Sequence, residues 1–125
     1  MERRRLKPVR LFSSDIDGTL AGDREASRRF SDYWRALDAN VRPVLVYNSG
    51  RLVDDILSFT EEQDLPPADF VIGGVGTMMA GEGFAGMEME YASFIADGYD
   101  ASTIAASLSE LPGLTLQPHR YQHEH

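Results

Sequence analysis

Asp15-Ile16-Asp17-Gly18-Thr19-Leu20 follows directly on the run Val9-Arg10-Leu11-Phe12-Ser13-Ser14, and together they decide the fold. The short length and Val/Phe content of the run predict a largely buried strand. A buried strand that ends in two acids is costly unless the acids meet a metal or a substrate. Asp15 and Asp17 lie two apart, so on a continued strand both would face one way. The Gly18 turn breaks that extension and lets one carboxylate and its neighbouring backbone converge on a single point. Such a point suits Mg²⁺, a hard cation that takes oxygen ligands and keeps several waters beside a phosphate. The competing reading is an ordinary acidic turn between a strand and a helix. The strand ahead of the acids is the context that favours chemistry.

Downstream, Ala21-Gly22-Asp23 reads as a short loop with Asp23 as helix N-cap. Ala26, Phe30, Tyr33, Trp34 and Leu37 recur at spacings of three and four, which predicts an amphipathic helix from Glu25 to about Ala39. Trp34 in that stripe is expected in the core, and Asn40 is expected to end the helix in a left-handed conformation. Pro43-Val44-Leu45-Val46-Tyr47 predicts a second buried strand. Asn48-Ser49-Gly50-Arg51 then leads into a helix from about Leu52 to Gln63, with Val53, Ile56, Leu57 and Phe59 inward. A strand, a small polar residue, a glycine and a helix present free backbone N–H groups to an anion. Gly50 permits close backbone approach, and the Ser49 hydroxyl can donate to a phosphate oxygen. For Arg51, substrate contact, contact with the neighbouring chain and plain solvation stay open.

Pro66-Pro67 breaks the chain, and Asp69-Phe70-Val71-Ile72-Gly73 predicts a third strand. The glycine-rich Gly73-Gly74-Val75-Gly76-Thr77 fits neither the dinucleotide fingerprint nor a P-loop. It is expected to open an outward hairpin: Met78-Met79-Ala80, a tip at Gly81-Glu82-Gly83, and a return from Phe84. Met78, Met79, Met87 and Met89 are expected to fill gaps beneath it.

Composition narrows the class. The chain has 125 residues, 42% hydrophobic and 26% charged, which suits one small soluble domain. No apolar run could span a membrane, and no apolar signal segment stands at the start. Cysteine is absent, so neither disulfides nor thiolate metal sites are available, and a cytoplasmic location is the default expectation. The net charge of −8 argues against a nucleic-acid surface, and it requires local compensation if the ligand is a phosphate. Arg3-Arg4-Arg5-Lys7 reads as a solvated tail. His119, His123 and His125 read as a polar end rather than a metal cluster.

The hexapeptide resembles the first motif of the haloacid dehalogenase superfamily, whose members are mostly Mg²⁺-dependent phosphatases. The resemblance implies that Asp15 is the nucleophile and Asp17 the acid and base. It also implies that the Asp15 carboxylate and the Asp17 carbonyl hold Mg²⁺, with Gly18 and Thr19 beside the substrate. Ser49-Gly50 resembles the second motif, which makes Ser49 the phosphate ligand with help from the Gly50 amide. Leu45-Val46-Tyr47-Asn48-Ser49-Gly50-Arg51, with Pro67-x-Asp69-x-x-Ile72-x-x-Val75-Gly76-Thr77, is similar to the sucrose-phosphate phosphatase branch. That branch acts on sugar phosphates and inserts a smaller cap after the third strand. The expected fold is therefore α/β, a partial doubly wound (Rossmann-like) parallel sheet with the start of an inserted α+β cap. Residues 1–78 would be the N-terminal half of the core, and residues 79–125 the hairpin and beginning of the cap. In the cap, a helix is expected from Ala101 to Leu111 and a strand from Leu114 to Gln117.

Two motifs of the superfamily find no match. Lys7 is the single lysine and precedes the first strand, so it does not match the family's lysine motif. The acids after the third strand, Glu88, Glu90, Asp97 and Asp100, do not match the late aspartates. The expectation is thus an N-terminal fragment with impaired activity on its own. Its exposed edge would favour self-association or pairing with a missing C-terminal half. A non-catalytic phosphate-binding module or pseudo-enzyme is the alternative. A signalling receiver is disfavoured because the third strand ends in Gly73-Gly74, without a phosphoacceptor acid.

Overall fold

The computed structural model describes residues 7–82 and 85–121. In chain order it has β1 (Leu11–Ser14), α1 (Arg24–Ala36), β2 (Val44–Asn48), α2 (Val53–Glu62), β3 (Phe70–Gly73), β4 (Met78–Gly81), α3 (Ala85–Ala96) and α4 (Ala101–Ser109). One sheet runs in the order β1-β2-β3-β4. The first three strands are parallel, and β4 folds back antiparallel on β3 with Met78 opposite Gly73. The architecture is the α/β sheet that the alternation of strand and helix signals predicts. Among the described residues no helix is long and apolar enough to cross a membrane.

Local chemistry starts the first helix as expected. The Asp23 carboxylate accepts from the N–H groups of Glu25 and Ala26, a cap that typically stabilises by about 1 kcal/mol. Trp34 is buried and packs, tilted, against Phe12 and Phe30 at centroid distances of 5.6 and 5.7 Å, with the two Phe rings 5.9 Å apart. It belongs to one core cluster with Ile16, Leu45, Tyr47, Val53, Ile56, Leu65 and Val71. Buried polar groups tie the loops to this core. Ser31 Oγ donates to the Asp64 carbonyl at 2.6 Å, and the Tyr47 hydroxyl donates to the Pro66 carbonyl at 2.6 Å.

Several expectations are corrected. The first strand is not largely buried: Val9 and Leu11 are exposed, because β1 is an edge strand with β2 as its one partner. Tyr33 and Leu57 face outward. Each adjoins a buried residue, Trp34 or Ile56, and one residue turns a helix by about 100°. The first helix stops at Ala36 rather than near Ala39. A turn built on Asp38 supplants the Asn40 cap, since the Asp38 carboxylate takes the Asn40 N–H and its carbonyl those of Val41 and Arg42.

The glycine-rich loop does open a hairpin, but the partner of β4 is β3, not a strand returning from Phe84. Gly83 and Phe84 lie outside the described residues, and Ala85–Ala96 is helical. Glu88 in that helix accepts from the Gly81 N–H, which closes the connection. Met78 packs against the core, whereas Met87 and Met89 are exposed and fill no gap. Leu114–Gln117 forms no strand, since no described strand runs beside it to supply hydrogen bonds. The Arg3-Arg4-Arg5 tail, His123 and His125 lie outside the described residues, and His119 sits exposed in a 3-10 turn.

The end of β3 is tightly packed. A Cβ on Gly73 would lie 2.7 Å from the Arg51 carbonyl oxygen and 3.0 Å from the Val53 nitrogen. The Gly74 N–H donates to the same Arg51 carbonyl at 2.7 Å.

Candidate active site

Parallel pairing brings the carboxyl ends of β1 and β2 to one edge. Ser14 is in register with Tyr47, so Asp15 emerges beside Asn48-Ser49. The chain then folds over itself. Gly18 has φ +72°, and the Ile16 carbonyl accepts from the N–H groups of Thr19, Leu20 and Ala21. That turn is where a left-handed glycine is needed. Thr19 Oγ1 donates to Asp15 Oδ2 at 2.9 Å, which fixes the carboxylate rotation and leaves the second oxygen toward solvent. Asp15, Asp17, Gly18 and Thr19 are all exposed, as a site open to ligand requires.

The second loop is better buried. Ser49 is nearly inaccessible, its N–H donates to the Ile72 carbonyl, and its Oγ accepts from the Arg51 N–H at 3.2 Å. With the oxygen so used, the hydroxyl proton is left to donate. Gly50 is exposed, and a Cβ there would touch Val75 at 3.7 Å. The N-cap of α2 is Leu52, which offers no side-chain cap, so the first N–H groups of that helix are not taken by a capping oxygen.

Arg51 joins the two loops. Its Nε and Nη2 donate to the two carboxylate oxygens of Asp17 at 2.8 and 2.9 Å, and Nη1 donates to Asp55 at 2.9 Å. Its guanidinium also lies 3.9 Å over the Phe59 ring. The hydrogen bond from Arg51 holds the Asp17 carboxyl below the usual range, and the same bond raises Arg51. Sequence reasoning left Arg51 open and missed this role. The usable signal was Arg51-x₃-Asp55-x₃-Phe59, an acid and an aromatic four apart on one face of α2 with the arginine just ahead of that helix. Asp17, Gly50, Arg51, Leu52, Asp55 and Gln117 line a cleft of about 320 Å³. Gln117 comes from the segment after α4, so the later part of the chain reaches back to the site.

Mg²⁺ was expected at Asp15 and Asp17. Among the described residues, no group of three or more His, Asp or Glu side chains is clustered to hold a metal. The available donors are the open oxygen of Asp15 and the Asp17 carbonyl, which accepts no backbone N–H among the described residues. The Asp17 carboxylate is engaged with Arg51. Two hard oxygens suit a cation that retains waters and shares a phosphate oxygen.

An α/β sheet with Asp-x-Asp-Gly-Thr leaving its first strand and Ser-Gly leaving the second defines a haloacid dehalogenase-like protein. The comparisons agree. Residues 8–125 match the family described as sucrose-6F-phosphate phosphohydrolase, and the chain belongs to that family. It is 48% identical over 118 residues to mannosylfructose-phosphate phosphatase from Agrobacterium fabrum, covering 94% of this chain and 48% of that protein. Its fold is similar to the sucrose-phosphatase of Synechocystis solved with sucrose and phosphate, with a TM-score of 0.79 at 19% identity. That likeness covers 95% of this chain and 47% of the other. The chain thus spans about half the length of the relatives it matches.

Proposed function

We propose that this chain carries the phosphoryl-transfer half of a Mg²⁺-dependent sugar-phosphate phosphatase that works through an aspartyl phosphate. The supporting observation is the joining of the two loops: Asp15 and Ser49 leave adjacent parallel strands, and Arg51 bonds Asp17 across the gap. Asp15 attacks phosphorus while the bond to the sugar oxygen breaks, and that oxygen takes its proton from the Asp17 carboxyl, which must first release Arg51, whose hydrogen bonds favour the ionised form. The Asp17 carboxylate then takes a proton from water, which attacks phosphorus and releases Asp15. This divides one hard displacement into two easier ones. Ser49 and the Gly50 amide hold the phosphate, and the Gly18-Thr19 turn borders it. Mg²⁺, held by the Asp15 carboxylate and Asp17 carbonyl, would neutralise charge on the phosphate oxygens.

The relatives' names support a sugar phosphate, such as a phosphorylated sucrose or mannosylfructose, as the substrate. The proposal includes weak turnover by these 125 residues alone, and association of the exposed β1 edge with a second copy or a C-terminal half. Nucleic acid and membrane are not partners in this reading. The test is the purified chain with Mg²⁺ and sucrose 6-phosphate or mannosylfructose phosphate, with beryllofluoride as a stable phosphate mimic followed by fluorine NMR. Mg²⁺-dependent beryllofluoride binding and slow phosphate release, both lost on Asp15→Asn, are expected. Release that survives Asp15→Asn overturns the nucleophile, and fast release lost on Asp15→Asn overturns the weak-turnover part alone.

A further inference from the structure

We infer that Val75 is a specificity-determining residue, an apolar contact for the carbon skeleton of the phosphate ester beside the Gly50 amide. The inference rests on the phosphatase reading above and deepens it. Val75 is 86% exposed, the most of any large apolar residue among the described residues, so it packs against little of the chain. It also stands at φ +58° and ψ +35°, in the left-handed region that crowds a branched Cβ. Such a conformation persists only where the surrounding structure enforces it.

The enforcement is visible on both sides. Gly74 and Gly76 are left-handed as well, so Val75 sits at the middle of a tight turn. The Gly74 N–H donates to the Arg51 carbonyl at 2.7 Å, and the Gly74 carbonyl accepts from Thr77 Oγ1 at 2.8 Å. The Tyr91 hydroxyl donates to the Gly76 carbonyl. The chain thus holds a strained, unburied side chain in one place. Packing within the fold does not account for it.

That place is beside the anion loop. A Cβ built on Gly50 would meet Val75 Cγ2 at 3.7 Å, and no other described atom within 4 Å beyond its chain neighbours. Gly50 is not left-handed, so a positive φ is not what its lack of a side chain serves. What that lack leaves is an opening between the Gly50 backbone and the Val75 methyl group. A phosphate held by Ser49 and Gly50 carries its organic group within reach of this opening. The C–H face of a sugar is apolar surface that an isopropyl group can shield from water. Inorganic phosphate has no such surface.

The test is a pair of titrations of the purified chain with Mg²⁺, one with sucrose 6-phosphate and one with inorganic phosphate, each followed at the Gly50 amide resonance. Val75→Ala removes both γ-methyl groups. It should weaken sucrose 6-phosphate binding by about three- to tenfold and change phosphate binding by less than about twofold. Val75→Ile keeps a branched apolar side chain and should retain the native preference. Because Val75 packs on so little, Val75→Ala should not lower the midpoint of urea unfolding. Equal changes for both ligands, no change for either, or a preference in Val75→Ile no better than in Val75→Ala overturns the inference. So does a lowered urea midpoint, which would make Val75 a packing residue. A Gly50 resonance that moves with neither ligand removes the anion loop and this inference together. Phosphate release that survives Asp15→Asn instead removes the nucleophile and leaves the Val75 preference standing.

Discussion

The segment up to Gly73 and the segment after it obey different rules, although both are rich in regular structure. Every buried described residue lies at or before Gly73, and none lies after it. In the first segment, apolar side chains from β1, β2, β3, α1 and α2 converge on one cluster. In the second, α4 has no buried residue, and Ile104, Leu108, Leu114 and Leu116 are exposed. What holds α4 is local: Asp100 accepts from the N–H and hydroxyl groups of Ser102 and Thr103. The first segment is therefore stabilised by contacts distant in sequence, and α4 by contacts between neighbours. Asp15, Asp17, Ser49 and Gly50 belong to the first.

The sharpest way to break this contrast is Leu45→Ala. Leu45 is fully buried in the cluster, and the change should destabilise the chain by about 2–5 kcal/mol in urea unfolding. A loss below 1 kcal/mol would mean that the core is not where stability resides. Ser31→Ala comes next. Its hydroxyl is the partner of the carbonyl of Asp64, a residue itself held at φ +56°. Leaving that carbonyl unpaired should cost about 1–3 kcal/mol, read from the same unfolding curves.

Acid probes the second segment. The Asp100 carboxyl is lowered to about 2, first by the Ser102 hydroxyl and then by Thr103. A depressed carboxyl contributes stability above its unfolded value of 3.8, and that contribution is lost as the pH falls through about 2. The carbon shifts of Ser102 to Ser107 should therefore lose helical character between about pH 4 and pH 2. Asp100→Asn should flatten that profile, and an unchanged profile would remove the cap from the account. The smallest effect belongs to Ile104→Ala. At an exposed position, it should change stability by no more than about 0.5 kcal/mol.

The same division explains what could be read from the sequence. Strands β1 to β3, helices α1 and α2 and the Asp23 cap follow from periodicity and capping chemistry acting over a few residues. The placement of Asp15, Asp17, Ser49 and Gly50 at strand ends was legible because a strand end followed by a tight turn is itself a local pattern. Tyr33 and Leu57 were misjudged because apolar character does not reveal which side of a stripe a residue takes. The burial of β1 depends on how many strands flank it, which a short window does not contain. Arg51 needed the fold, since its partner Asp17 is 34 residues away. The return strand from Phe84 and the strand at Leu114 failed for a shared reason: β structure requires a neighbour, and the pattern of one stretch does not supply it.

Gly73 gives the architecture a lever at a residue with no chemistry of its own. A methyl group there would push on the backbone that carries Arg51 and Val53, so Gly73→Ala would tilt the Ser49-Gly50-Arg51 loop while changing none of its side chains. The spacing of two strand ends would then shift by fractions of an ångström with Asp15, Asp17, Ser49 and Arg51 all retained.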